Sequence, residues 1–111
     1  MARAAGEPFI THVDSEDEWE HDQETGGLVL MLRADDRMQV GLWKPGPVVD
    51  TTFDVLLEAN ETLLVLDGQG ELRVDDGAPI ELRRGVIVSI PRGCRTRWIV
   101  DEHFREIWLY C

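Results

Sequence analysis

From residue 28 onward this chain never runs far without a turn residue, and that spacing limits what it can fold into. Leu28–Arg33 and Met38–Trp43 are apolar-rich runs separated by Ala34-Asp-Asp-Arg37, a polar stretch suited to a hairpin. Lys44-Pro-Gly-Pro47 stops the second run, because proline lacks a ladder donor and glycine permits positive φ. Thr52–Glu58 and Glu61–Asp67 follow, joined by Ala59-Asn60. Gly68-Gln-Gly70 turns into Glu71–Val74, and Asp75-Asp-Gly77 turns into Ile80–Leu82. Val86–Ile90, Arg95–Val100 and Phe104–Tyr110 complete the set. About eight to nine short antiparallel strands, with no sustained helical period among them, predict an all-β sandwich or barrel.

Residues 1–27 read differently. They form an irregular acidic segment in which only Ser15–Glu24 offers a helical turn, with Ser15 as N-cap and acids behind it. A solvated loop fits that stretch equally well. The expected organisation is an arm over 1–27 and a single domain over 28–111, with no internal repeat. A chain of this length buries roughly two-thirds of the surface its unfolded form exposes, enough for a real core.

Charge narrows the partners. Asp plus Glu number 22 against 11 Lys plus Arg, for a net charge of −11. That surface opposes nucleic acid and anionic lipid, both of which are bound by cations that neutralise phosphate. No apolar run approaches the roughly 20 residues that span a bilayer. Met1-Ala-Arg-Ala-Ala has no apolar stretch behind it of the kind a secretion signal needs, so a cytoplasmic protein is expected. Cys94 and Cys111 are too few for a disulfide framework and read as reduced thiols.

Two segments carry a family resemblance. Glu61, six residues and Gly68 match the end of the first cupin motif, which runs Gly, five residues, His-x-His, three or four residues, Glu, six residues, Gly. Gly85, Pro91 and Gly93 match the second motif, but Thr96 stands where its His belongs. With Gly41-Leu-Trp-Lys-Pro-Gly46, Arg97-Trp98 and Phe104-Arg-Glu-Ile-Trp108, the chain resembles small RmlC-like cupins of the ethanolamine-utilisation protein Q-like and ureidoglycine aminohydrolase-like subgroup. The likeness covers about residues 38 to 110. It implies a double-stranded β-helix, or jelly-roll barrel, open at one end and often dimeric. Function does not follow from that fold, which hosts many chemistries.

Strand alternation sketches the cup. If Glu61 points inward, so do Leu63 and Val65. At the motif's four-residue spacing the two His positions fall on Asp54 and Leu56; at three-residue spacing they fall on Val55 and Leu57. The first register places a second carboxylate beside Glu61. The predicted ligand pocket is then Trp43, Asp54, Leu56, Glu61, Leu63, Thr96 and Trp98, mainly apolar with a few polar groups.

A transition metal is not expected there. His12 and His21 lie in the acidic segment and His103 in the Asp101-Glu-His turn, all away from the motif positions, and imidazoles are the ligands such metals favour. Asp54, Glu61 and Thr96 suit only weakly held magnesium or calcium. A buried carboxyl has another use, since burial raises its pKa and fits it for general acid or base work. The leading expectation is therefore a cofactor-free domain that binds an unidentified small molecule, as a homodimer. The alternative is a cofactor-free or weak-metal isomerase, cyclase, lyase or hydrolase using Glu61 or Asp54. Cys94 has Arg92 and Arg95 nearby, but no His partner, and reads as a small packed side chain.

Overall fold

Alternation of inward apolar and outward polar residues organises two facing sheets. A computed structural model describes residues 6–46 and 52–111. Among them the strands are β1 (Glu20–His21), β2 (Leu28–Ala34), β3 (Gln39–Lys44), β4 (Thr52–Leu56), β5 (Glu61–Asp67), β6 (Gln69–Val74), β7 (Ile80–Arg83), β8 (Ile87–Ile90), β9 (Arg95–Val100) and β10 (Arg105–Tyr110). One sheet has the order β1-β2-β3-β10-β5-β8, the other β4-β9-β6-β7, and every pairing is antiparallel. None of the described residues forms a helix, and none could cross a membrane as one.

The strands expected at 61–67 and 95–100 occur with those bounds, and the others shift by a few residues at their ends. Gly68-Gln-Gly70 contributes less turn than expected, because only Gly68 has left-handed backbone; Gln69 and Gly70 already pair with Arg83 and Leu82. Ser15–Glu24 forms no helix. The Ser15 hydroxyl instead accepts the Asp17 N–H, and Glu20 and His21 pair with Val29 and Leu28 as a short edge strand.

Trp43, Val55, Leu57, Leu63, Val65, Leu72, Leu82, Ile90, Trp98, Val100, Phe104 and Trp108 pack between the sheets as one core. β9 shows the alternation most cleanly, with Thr96, Trp98 and Val100 buried and Arg95, Arg97 and Ile99 exposed. The ladder between β2 and β3 slips once. Met31 faces Gly41 and Arg33 faces Val40, so Leu32 is an extra residue, and Arg33 donates outward to the Glu7 carbonyl.

The motif glycines earn their places through backbone geometry. Gly68, Gly85 and Gly93 have φ of 76°, 90° and 93°, which side-chain-bearing residues rarely adopt. At Gly68 an added Cβ would also sit 2.4 Å from the Phe104 nitrogen. Gly68→Ala is expected to cost roughly 2 kcal/mol or more in urea unfolding. A loss below about 0.5 kcal/mol would count against this account.

Candidate functional site

On the inner face of the larger sheet, β5 presents Glu61, Leu63 and Val65, while β10 presents Glu106, Trp108 and Tyr110. Glu61 lies opposite Tyr110 and Glu106 opposite Val65, so their backbone positions are four residues, about 13 Å, apart along the strands. Glu61 is 3% exposed and Glu106 6%. Glu106 is the last inward residue before a register shift at Arg105, and its Oε2 is buried without a hydrogen-bond partner.

Aromatic rings wall the space between the sheets. Phe53 and Trp98 are cross-strand partners, stacked with ring centres 5.9 Å apart and planes 9° from parallel. Trp43 reaches Phe53 from the opposite sheet at 5.0 Å, and Trp108 lies 4.6 Å from Tyr110. Together with Val55, Gln39 and the two acids they line a cavity of about 170 Å³. An outer cleft of about 520 Å³ shares Glu24, Gln39, Val55 and Tyr110 with this lining and forms its vestibule.

The acidic N-terminal segment completes the mouth. The Trp43 indole N–H donates to Thr25 Oγ1 at 2.9 Å, and the Thr25 hydroxyl donates to Asp22 Oδ2 at 2.6 Å. Asp22 N–H bonds the Gly27 carbonyl and Gly26 N–H bonds the Asp22 carbonyl, closing the turn. Gly27 lies so near Trp43 that a Cβ there would fall 2.5 Å from the ring. Asp22, Glu24 and Thr25 consequently line the cavity, a contribution that their solvated, acidic surroundings in the sequence conceal.

Several predicted positions are thereby placed, and two are corrected. Trp43, Glu61 and Trp98 line the cavity, and Leu63 packs in the core behind it. Asp54 and Leu56 face outward, contrary to the expected register. Asp54 is 74% exposed at its side chain, 4.0 Å from Arg97, and Leu56 is 52% exposed. Val55 pairs with buried Thr96, and this pairing fixes the inward set as Val55 and Leu57. Glu106 is an acid that the motifs do not single out; its position two before Trp108 in an alternating strand is the available signal.

The residues at the motif's ligand positions do not suit a metal. Val55 and Leu57 carry no donor atom on their side chains. The Thr96 hydroxyl is engaged, donating to the Val55 carbonyl at 2.8 Å and accepting the Trp98 indole N–H at 2.9 Å. No group of three or more His, Cys, Asp or Glu gathers as a metal site among the described residues. His12 lies beside Asp14 and His103 beside Glu102, all four exposed.

Burial makes the two inner acids unusual. It raises Glu61 from its ordinary 4.5 to about 7, with the charge of Glu24 adding to the effect. Burial pushes Glu106 well above the carboxylate range, and the negative charge of Glu61 pushes it further. Glu24 is raised by burial and by Asp22 and Glu58, and Tyr110 by burial and then the surrounding acids. Burial and Asp75 likewise raise the Cys94 thiol, which opposes any activation by its neighbouring arginines.

The EutQ-like cupin domain profile matches residues 32–108. The chain belongs to the EutQ-like cupin family. Solved structures similar to this EutQ-like cupin include the EutQ protein of Clostridium difficile, at 22% identity over 86% of this chain and 72% of that one, with a TM-score of 0.66. A candidate mannose-6-phosphate isomerase from Ralstonia eutropha gives 18% identity, 94% and 98% coverage, and 0.70. An RmlC-like cupin with a double-stranded β-helix fold from Methanocaldococcus jannaschii gives 16%, 86% and 90%, and 0.65. These likenesses establish the fold, the jelly-roll barrel expected from the motifs. A comparison with curated proteins finds no match.

The acids of this EutQ-like cupin give its stability a defined pH dependence. Between pH 4.5 and about 7 the folded protein keeps a proton on Glu61 that the unfolded chain has lost. Stability from this group is therefore full at low pH and falls as pH rises, by about 3 kcal/mol in all. Glu106 acts with the same sign. Glu61→Gln is expected to melt like the parent near pH 4.5 and several degrees higher at pH 8. Identical pH slopes for the two proteins would refute the assignment.

Proposed function

We propose that this EutQ-like cupin binds a small molecule in its aromatic-walled cavity, with carboxyl groups in place of the imidazoles and without a resident transition metal. The observation that carries the reading is a pair of buried acids, Glu61 and Glu106, on one aromatic-lined cavity that opens into a vestibule. Small-molecule sites are built this way, apolar over most of their surface with a few converging polar groups. The occupied Thr96 hydroxyl and the apolar Val55 and Leu57 support the metal-free part.

A second reading has its own support. A carboxyl near pH 7 is poised to take or give a proton at physiological pH, as a general acid or base must be. In that case Glu61 is the proton-transferring residue of a cofactor-free isomerase, cyclase, lyase or hydrolase. A metabolite panel screened by melting shift, followed by product analysis on every hit, distinguishes the two. Binding without conversion supports the first reading; conversion lost in Glu61→Gln supports the second. Stoichiometric metal in untagged protein would overturn the metal-free part, and a panel without a hit would overturn the binding reading.

We also propose that the protein is a homodimer. On the outer face of the larger sheet Leu64 lies between Ile107 and Ile87, and Ile87 is 68% exposed. Covering such a side chain on a second copy removes apolar surface from water. Sedimentation velocity is expected to give a dimer that Ile87→Asp dissociates; a monomeric parent protein would overturn this.

A further inference from the structure

The inner cavity has a one-sided charge. Among the described residues its lining holds the acids Asp22, Glu24, Glu61 and Glu106, and no Lys, Arg or His. The vestibule adds Asp35, Asp36 and Glu58 against Arg37 and Arg92. Such a lining repels anions on approach and concentrates cations. The walls are compatible with that charge, because Trp43, Phe53 and Trp98 line the same cavity and an aromatic ring attracts a cation at its face. Glu106 adds an independent sign of a ligand: it lines this cavity, and its buried Oε2 has no donor to meet it.

Two kinds of cation are available. A bare metal ion needs several oxygens closing on it at about 2.0–2.6 Å, and among the described residues no three His, Cys, Asp or Glu side chains gather closely enough to hold one. An organic ammonium carries its own apolar surface for the rings and N–H donors that reach oxygens at about 2.9 Å. The volume of about 170 Å³ is on the scale of a cavity that takes benzene, so the molecule is small.

We propose that the cavity takes a small organic ammonium ion, paired with Glu61, its carbon skeleton against the Trp43–Phe53–Trp98 wall and the unpartnered Glu106 on the same lining. This rests on the binding reading above and gives it a ligand class. Glu61 is faced by Asp22 and Glu24 from the mouth turn and by Glu106 and Tyr110 from β10. β3, β4 and β9 offer Gln39, Trp43, Phe53, Val55 and Trp98, none of them ionisable. Of Glu61, Glu106 and Tyr110, Glu61 ionises first, so cation affinity follows its charge.

Three probes of one shape and three charges test this: tert-butylammonium, tert-butanol and pivalate, titrated into the full chain by calorimetry and tryptophan fluorescence. An alkylammonium, like lysine, stays charged to about pH 9. Tert-butylammonium is expected to bind at least about tenfold tighter than tert-butanol, and pivalate not at all. Its affinity is expected to rise about thirtyfold from pH 5.5 to pH 8 as Glu61 ionises near pH 7. Glu61→Gln is expected to remove both the preference and the pH dependence, its melting curve confirming that it folds. Equal or tighter binding of the neutral or anionic probe overturns the ammonium assignment and leaves the binding reading standing. Failure of all three probes overturns the assignment too, and the metabolite panel then judges the binding reading on its own.

Discussion

The Trp43 indole is where the molecule is held together around its cavity. It leaves β3 on the larger sheet, meets Phe53 of the smaller sheet at 5.0 Å, and approaches Phe104 at 6.0 Å. Its N–H is given to Thr25, which is itself tied to Asp22. A single side chain thus joins both sheets and the acidic turn that roofs the cup. An indole suits this post because it combines a large apolar face with one donor that must be satisfied when buried. The cavity's rim and wall are therefore set by the same residue.

The barrel was legible because its signals are local and repeated. Turn glycines at 68, 85 and 93 need left-handed backbone, and few other residues supply it. The register of β4 was not legible in the same way. Asp54 and Leu56 alternate with Val55 and Leu57, and both sets contain residues that a cup could use. Only the pairing of Val55 with Thr96 across the sheet decides between them, and that is a contact distant in sequence. Glu106 hid behind Arg105, because an Arg-Glu start looks like a solvated strand end. The roof hid for a different reason: an acidic segment reads as surface unless one knows which indole its threonine will meet.

Without histidines at the motif's ligand positions, the fold's interior holds a different kind of polarity. An imidazole set creates a site for a charged ion that then organises the chemistry. Here burial itself tunes the polar groups, and the acids perturb one another through space. The cost is stability at and above neutral pH, a compromise common where a fold keeps strained polar groups for use. Thr96, at the position where the motif has its last His, braces β4 against the Trp98 ring.

The slip in β2 protects that polarity through backbone register. Because Leu32 is bulged out, Arg33 pairs with Val40 and points away from the cup toward the Glu7 carbonyl. Were the ladder to run straight on, Leu32 would take Val40 and Arg33 would fall opposite Gln39, which lines the cavity. The bulge thus turns a guanidinium away from a chamber whose described lining carries no cationic side chain. In this barrel the sign of the interior's charge depends on where one strand slips, and not only on which residues line the pocket.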